Sequence, residues 1–580
     1  MGYIWKPRTA IIKPRKNDSV LDKIMKIRGY DEDEIDNFLM PDITNELPWQ
    51  GLKNIEKAVE VFQTTIFNGC NIVIAGDPDA DGITSLAVMH NYLREFAKHY
   101  GAEFNVSYTY SQREDGHGIS TQIKQDVADE ARKELNERNR QLITDADLLI
   151  IVDSSSSDIK GIEEVLKMNE DLKIIILDHH QFEDEEAETK LNEFEKVTLV
   201  NPHQSGDTYE NKDLSGAGVV YKFIRALDDA YELELATQFL DLVAVGLVGD
   251  VMNMASLENR YYVSEGLLNV TNVGLTRILK GAKVNVDYYC TKDIGFSVAP
   301  LLNGASRMGQ IELAIEIFLV EDDKDAKPLR LAMDKLNKKQ REVRQELVEK
   351  YKMEADLSNK VLIVVDNDAP KGYSGIVAQN LAQEFQRPCF VVRDVNGIYM
   401  GSGRSYGDIK TRTLLSDLDY VVTKGHEQSH GIEFPKDKLD EVIEHCNKVI
   451  DLDKQTMTEL IYDIEIVPHE EIGIDFTEIQ NINKITGNGF PEVKVLVRQN
   501  VVEDRAVLGQ TKETVKFTLD NELVLIKFKV SESWYDDVDT FDEVSVIGTP
   551  NINVFYNFKT KVTTIIFITC DSSVCTLTVN

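Results

Sequence analysis

The chain has 580 residues, 42% of them hydrophobic, and a formal net charge of −35. That apolar content excludes wholesale disorder and, at roughly 150 residues per domain, predicts three to four packed domains. The acidic balance excludes a general basic nucleic-acid coat while leaving room for a local basic groove, and no apolar run reaches the roughly 18 residues of a membrane span. The start, Met1–Gly2–Tyr3–Ile4–Trp5–Lys6–Pro7, lacks the basic-then-apolar pattern of a signal peptide, and no two of the six cysteines form a CxxC pair. The expectation is a soluble cytoplasmic protein with reduced thiols and no membrane contact.

Residues 1–70 read as a helical lead-in, with an apolar helical pattern from Val20 to Ile27, a break at Pro41 and a helix from Ile55 to Phe67. Four apolar segments then deliver carboxylates or imidazoles. Asn71–Ala75 runs into Gly76–Asp77–Pro78–Asp79–Ala80–Asp81–Gly82 and Leu148–Val152 into Asp153. Lys173–Leu177 runs into Asp178–His179–His180, and Leu242–Gly249 into Asp250. Continuous apolar runs suit parallel strands covered on both faces, and ligands gather at the carboxyl ends of such strands. All four segments are therefore expected to end at one edge of a sheet. Residues 121–140 read as a charged helix, and Thr198–Val200 as a further short strand before Asn201–Pro202–His203.

From Asp323 to about residue 358 the chain is charged, with one apolar side, and predicts a long connecting helix at a domain boundary. A new α/β segment starts at Val361–Val365 and carries Gly401–Ser402–Gly403–Arg404–Ser405 and Lys424–Gly425–His426. Beyond about residue 460 short alternating runs predict a small β-barrel. The domain division expected is 1–70, 71–322, 323–358, 359–455 and 456–580.

Asp79, Asp81, Asp153, His179 and Asp250 make a mixed carboxylate and imidazole set. Such oxygen-rich sites with some nitrogen suit manganese, with magnesium a weaker substitute. Asp77 belongs to the same acidic turn, where closely packed carboxylates repel unless a cation joins them. Two cations can share a carboxylate and clamp the oxygens of an in-line phosphoryl displacement. His180 is placed to donate to a phosphate, and Asp178 to orient an imidazole. Arg113, Arg307, Arg404 and His426 are candidate anion contacts beside glycines or serines. Read singly, each has a plain structural alternative: a helix cap, a surface arginine or a core histidine.

The ordered series Asp77–x–Asp79–x–Asp81–Gly82, Asp153, Asp178–His179–His180 and Asp250 resembles motifs I to IV of the DHH phosphoesterases. Arg113–Glu114–Asp115–Gly116–His117–Gly118, Asn201–Pro202–His203, Leu214 to Val219, Asn303 to Arg307 and Gly375 to Ala378 resemble the RecJ single-stranded-DNA exonucleases. Lys424 to Gly431 resembles the glycine–histidine motif of the DHHA1 domain. The implied fold is α/β: a DHH parallel-sheet catalytic domain, a connecting helix, a DHHA1 α/β domain and a C-terminal OB-like β-barrel. The resemblance implies metal ligation by Asp79, Asp81, Asp153, His179 and Asp250, with Asp77 joining or supporting them. Asp153, Asp178, His179 and His180 are the implied catalytic group. Phosphate contacts are implied for His180, Arg113, Asn303, Arg307, Ser402, Arg404 and His426.

By that resemblance the chain is a metal-dependent exonuclease on single-stranded DNA, working 5′ to 3′ and releasing mononucleotides, with two manganese or magnesium ions. The service implied is repair, recombination or replication, by a monomer with an unidentified partner from that machinery. The alternatives are a DHH phosphodiesterase for short oligonucleotides or cyclic dinucleotides, an inorganic pyrophosphatase, or a scaffold that has lost its ligands. The β tail argues against the small-substrate enzymes, and the intact ligand set against a scaffold. Pro78, Ser306, Lys424 and Asn253–Met254 depart from the family pattern without removing a ligand.

Overall fold

The computed structural model describes the chain except for residues 1, 67–68, 128, 183–184, 283, 285–288, 369–370, 426, 453–456, 468–471, 509–513, 521–522, 529–537, 556–562, 571–577 and 580. A strand β1 (Gly2–Pro7) opens it and pairs in parallel with β12 (Met457–Tyr462) of the tail. The lead-in is therefore not wholly helical. Six residues with no helical apolar periodicity are recruited by a partner strand about 450 positions away. Helices Val20–Arg28, Glu32–Leu39 and Ile55–Thr65 follow.

The first sheet holds β2 (Asn71–Gly76), β3 (Asn105–Tyr110), β4 (Leu148–Val152), β5 (Lys173–Leu177) and β6 (Val197–Val200). All its pairings are parallel, in the order β3-β2-β4-β5-β6. Strands β4, β5 and β6 are apolar and almost wholly buried because helices cover both faces. The order reverses between β2 and β4, and at that switch point a crevice opens at the carboxyl ends.

The segment before Asp250 is a helix, Leu240–Gly249, and not the fourth strand its apolar run suggests. It is buried almost all round against the helices Ala80–Tyr100, Gly216–Tyr231 and Leu257–Leu268. A segment surrounded by helices has no polar face to mark its period, so its sequence is indistinguishable from that of a buried strand. The 121–140 helix is likewise split into Ile119–Gln122 and Glu130–Thr144.

The connecting helix is real, Asp323–Glu354, with Pro328 inside it. It leads to a second sheet of β7 (Leu362–Val365), β8 (Cys389–Val395), β9 (Ile398–Arg404), β10 (Val422–Gly425) and β11 (Ser429–Pro435), ordered β10-β11-β9-β8-β7. Asn396 and Gly397, both at positive φ, make the tight turn between β8 and β9. That turn sets the register that puts Ser402 and Arg404 on one face of β9.

In the tail, five strands close on themselves: β14 (Val495–Leu508), β15 (Thr514–Leu519), β16 (Val524–Phe528), β17 (Glu543–Phe555) and β18 (Thr563–Cys570). They pair in the ring β14-β15-β16-β18-β17, and β17 returns to β14. Only β16–β18 is parallel. This is the expected barrel, and closure leaves its five strands no free edge.

One hydrophobic core unites lead-in, first sheet and tail, running from Ile24 and Phe38 through Ile74 and Leu86 to Phe476, Phe490 and Val546. Arg260 fastens the three. It is 1% exposed, lies 3.8 Å from the Phe38 ring, and donates to the carbonyls of Phe38, Met254 and Ile485 at 2.7, 3.1 and 3.0 Å. A buried guanidinium is tolerable only with its donors satisfied, so these carbonyls fix where the tail sits. No helix among the described residues is long and apolar enough to cross a membrane.

Candidate metal centre and neighbouring arginines

The carboxyl ends of β2, β4 and β5 converge as expected. After β2, Asp79 becomes the N-cap of the helix Ala80–Tyr100, accepting from the Gly82 amide at 3.1 Å. Asp81, in that helix's first turn, accepts from the amides of Gly216 and Ala217 at 2.6 and 3.1 Å. Those amides open the helix Gly216–Tyr231, whose positive end favours an anion. Gly216 and Gly246 leave the space the carboxylates use. A Cβ on Gly216 would stand 2.7 Å from Cγ of Asp153, and one on Gly246 would strike the Asp81 carboxylate.

Asp153 follows β4 directly, in left-handed backbone, φ 60, a conformation that costs a non-glycine residue about 1–3 kcal/mol and clusters at functional sites. His179 sits at the hub. Its Nε2 lies 3.2 Å from Asp153 Oδ1, 3.5 Å from Asp250 Oδ2 and 3.7 Å from Asp81 Oδ2. Asp250 caps the helix Leu240–Gly249, which delivers it to the crevice as a strand end would have done.

Among the described residues two donor groups are compact enough to hold an ion, and both contain His179: Asp153 with His179 and His180, and Asp81 with His179 and Asp250. The fit is borne by orphaned atoms. Asp153 Oδ1 and His179 Nε2 are buried and, apart from their 3.2 Å approach to one another, neither has a hydrogen-bond partner among the described residues, although buried polar atoms almost always have one. Burial, and then neighbouring carboxylates, push Asp153 well above the ordinary range, and push Asp250 up to about 8. Burial also raises Asp81 and lowers His179. Like charges compressed this way, with oxygen and imidazole donors, are relieved by a divalent cation such as manganese or magnesium.

The structure specifies three placements that the sequence left open or read differently. Asp77 lies outside both donor groups: its carboxylate bonds His117 Nδ1, and the Gly118 amide stands 3.4 Å away. Asp79 is outside them too, occupied as a helix cap. Asp178 orients His180, at 2.8 Å from its Nδ1, and not His179. Asp178 also accepts from the amides of Ser156 and His179 at 2.9 and 2.8 Å. Burial opposes the charge on both members of that pair, but the Asp178 carboxylate holds His180 up at about 10, and His180 holds Asp178 low. His180 stands half-exposed at the edge of the centre, its side chain 54% accessible.

Across the crevice stand the arginines. Arg113, in the turn after β3, donates to Asn303 Oδ1 at 3.0 Å. Arg307, at the end of the helix Ala299–Arg307, donates to the Gly372 carbonyl at 2.5 Å. Arg404 on β9 donates to the Gly403 carbonyl at 2.8 Å, and Ser402 meets the Ser374 hydroxyl at 2.9 Å. Burial, then Arg113 and Arg404, lower Arg307 to about 10. Three segments spanning about 290 positions thus bring three guanidinium groups together. None of the three has a carboxylate within ion-pairing distance among the described residues. His426 lies outside the described residues.

Reading residues one by one missed His117 and Ser306. His117 stood inside the Arg113–Gly118 block but had no assigned partner until folding put it on Asp77. The Ser306 hydroxyl donates to the Pro78 carbonyl at 2.5 Å, so two of the departures from the family pattern touch one another.

Comparison with known proteins agrees with this architecture. Residues 71–247 match the model of the DHH family, N-terminal domain, and residues 462–566 that of the RecJ OB domain. The chain is RecJ-like. It is 28% identical over 534 residues to the single-stranded-DNA-specific exonuclease RecJ of Bacillus subtilis, covering 88% of this chain. This RecJ-like chain spans 62% of that relative's length. It is also 28% identical to the Escherichia coli protein of the same name, over 68% of each chain. A Bacillus phage SPbeta protein named as a candidate single-strand DNA-specific exonuclease is 26% identical over 94% of this chain and 95% of its own. The solved structure of Thermus thermophilus RecJ in complex with Mn2+ superposes over 98% of this RecJ-like chain and 79% of that one, with a TM-score of 0.73 at 21% identity, and so shares the fold.

Proposed function

We propose that this chain is a divalent-metal-dependent exonuclease that hydrolyses phosphodiester bonds of single-stranded DNA from the 5′ end and releases 5′-mononucleotides, in repair, recombination or replication. The observation that carries the reading is the pairing of two uncompensated charge clusters across one crevice. Among the described residues no lysine or arginine ion-pairs with the carboxylates around His179, and no carboxylate ion-pairs with Arg113, Arg307 or Arg404. A phosphodiester between them, with manganese or magnesium at the carboxylates, neutralises both.

In this reading Asp81, Asp153, His179 and Asp250 would hold the metal, Asp79 is the candidate ligand for a second ion, and Asp77 fixes His117. Such an ion, when bound, lowers the pKa of water and polarises phosphoryl oxygens. The chain's own residues do the rest. His180, kept cationic by Asp178, donates to a phosphoryl oxygen where negative charge develops. Arg113, Arg307 and Arg404 grip the non-bridging oxygens, with Asn303 and Ser402 completing the donors and His426 assigned to the same task. Gly216 and Ala217 hold Asp81 still. The division of labour is residues 71–322 for chemistry, 359–455 for gripping phosphates and 456–580 for tracking the strand.

The deciding experiment is a time course on 5′-labelled and 3′-labelled single strands with manganese, beside a duplex and a dinucleotide. Immediate release of the 5′ label as mononucleotide supports the proposal. Cleavage of the dinucleotide alone, or chelator-resistant activity, overturns it.

A further inference from the structure

The helix that carries Asn303 and Arg307 belongs to a longer helical segment that starts at the tail. Thr291–Asp293 is a helical turn, Ile294–Val298 a π-helical turn, and Ala299–Arg307 the α-helix. At its beginning the Thr291 amide donates to the Lys484 carbonyl at 3.0 Å, and Thr291 Oγ1 accepts from the Thr486 amide at 3.1 Å. At its end Asn303 meets Arg113, and Ser306 meets the acidic loop. The segment therefore spans from the barrel side of the molecule to the candidate metal centre.

Burial divides its faces. Ile294, Val298, Leu301, Leu302 and Ala305 are buried, while Phe296, Pro300, Asn303 and Arg307 are not. Steps of four, three and four residues put those four on one stripe. Phe296 thus faces the same side as the two phosphate candidates, and it is 77% exposed. A lone exposed aromatic needs no explanation. This one stands in a π-helical turn, a rare geometry frequent at functional sites, and in line with Asn303 and Arg307. At a rise of about 1.5 Å per residue it lies about 10 Å along the stripe from Asn303 and about 16 Å from Arg307.

We propose that Phe296 is a stacking platform for a nucleobase of the single strand as it passes between the barrel and the metal centre. The inference rests on the single-stranded-DNA reading above. An aromatic face accepts any base, so a stacking residue suits an enzyme that must advance along every sequence. Phe296 is a positioning residue in this account: it holds the strand while the groups at the crevice act.

The test is binding of the full chain to an oligo(dT) of about 16 nucleotides, in chelator to prevent cleavage. The proteins compared are wild type, Phe296→Ala, Phe296→Leu and Phe296→Trp. Loss of stacking weakens Phe296→Ala by about 10- to 100-fold. Phe296→Leu stays weak because it keeps apolar area without a π face. Phe296→Trp binds as wild type, and the fluorescence of the new indole is quenched by the strand. Unchanged melting temperatures separate this from a folding defect in a residue so exposed. Affinity of Phe296→Ala within about twofold of wild type, or full rescue by Leu, overturns the stacking role. Wild type that does not bind oligo(dT) at all overturns instead the nucleic-acid reading beneath it.

Discussion

The two halves of the crevice carry opposite charge and are built in opposite ways. The carboxylate side is assembled within one sheet and its covering helices, and backbone amides hold its members in place. Gly82 holds Asp79, Gly216 and Ala217 hold Asp81, and Ser156 holds Asp178. The arginine side is assembled from the β3 turn, the helix Ala299–Arg307 and strand β9 of a second sheet. Asn303 and backbone carbonyls hold its guanidinium groups. The first is rigid and compact, as a small cation requires. The second spans two domains, as an extended anion requires. Under the proposed function, the difference assigns metal affinity to the first sheet and its helices, and grip on a strand to how the second sheet is set against them.

The largest effect should come from breaking the first half alone. Asp153→Ala should cut the rate at least about 10³-fold, while binding of single-stranded DNA in chelator stays within about threefold of wild type. A parallel loss of DNA affinity would show that the two halves are not separable. Next, manganese at about 100 times its Kd should stabilise wild type by about 2.7 kcal/mol in denaturant titrations, and Asp153→Ala should lose most of that gain.

Breaking the second half should give the reverse pattern. Arg307→Ala combined with Arg404→Ala should weaken single-stranded-DNA binding by about tenfold or more, and lower the slope of log affinity against log salt by about 1.4, at about 0.7 per lost phosphate contact. Manganese stabilisation should persist in that variant, and its loss would join what the comparison separates. Smaller still, Ser306→Ala should cost about 1 kcal/mol of stability by removing the bond to the Pro78 carbonyl, with a change of a few-fold in activity, since that bond ties the arginine-bearing helix to the acidic loop.

The mildest test concerns the placement of the second sheet. Asp366, at the end of β7, accepts from Lys350 at 2.5 Å and Tyr351 at 2.7 Å, both on the connecting helix. Burial works against its charge, but those donors bring it down to about 2. A depressed carboxylate stabilises the fold above its ordinary value near 4 and loses that contribution as pH falls toward 2. The urea midpoint should therefore fall over that range, and Asp366→Asn should flatten the fall. A slope unchanged by the substitution would assign the acid sensitivity elsewhere.

How much of this was legible in the chain depended on the range of the forces involved. Strands β2, β4 and β5 announced themselves, because burial on both faces writes itself as an unbroken apolar run with an acid at its end. The same signature misassigned Leu240–Gly249, where burial is equally complete but the neighbours are helices. Asp250 reached the crevice nonetheless, since either element ends there. Strand β1 had no local signal, because its reason to be extended is β12 at the far end of the chain. His117 was visible as a letter in a motif, but its task on Asp77 was not. The tail was readable as a barrel. Its closure through β17 and β14, and its common core with the lead-in through Arg260, were not.

What the sequence determined by itself was the inventory: parallel strands, the acids and imidazoles at their ends, the long connecting helix and the alternating tail. Each follows from local periodicity and from the chemistry of neighbouring side chains, which do not depend on where the rest of the chain lies. Only the tertiary structure decided which donors meet at His179, that Asp178 serves His180, and that Asp77 turns to His117. It also decided that Arg113, Arg307 and Arg404 share one wall, and that Phe296 stands in line with it. Apart from Asp178 and His180, which stand two residues apart, these contacts depend on how distant segments of the chain pack against one another, which no local pattern specifies.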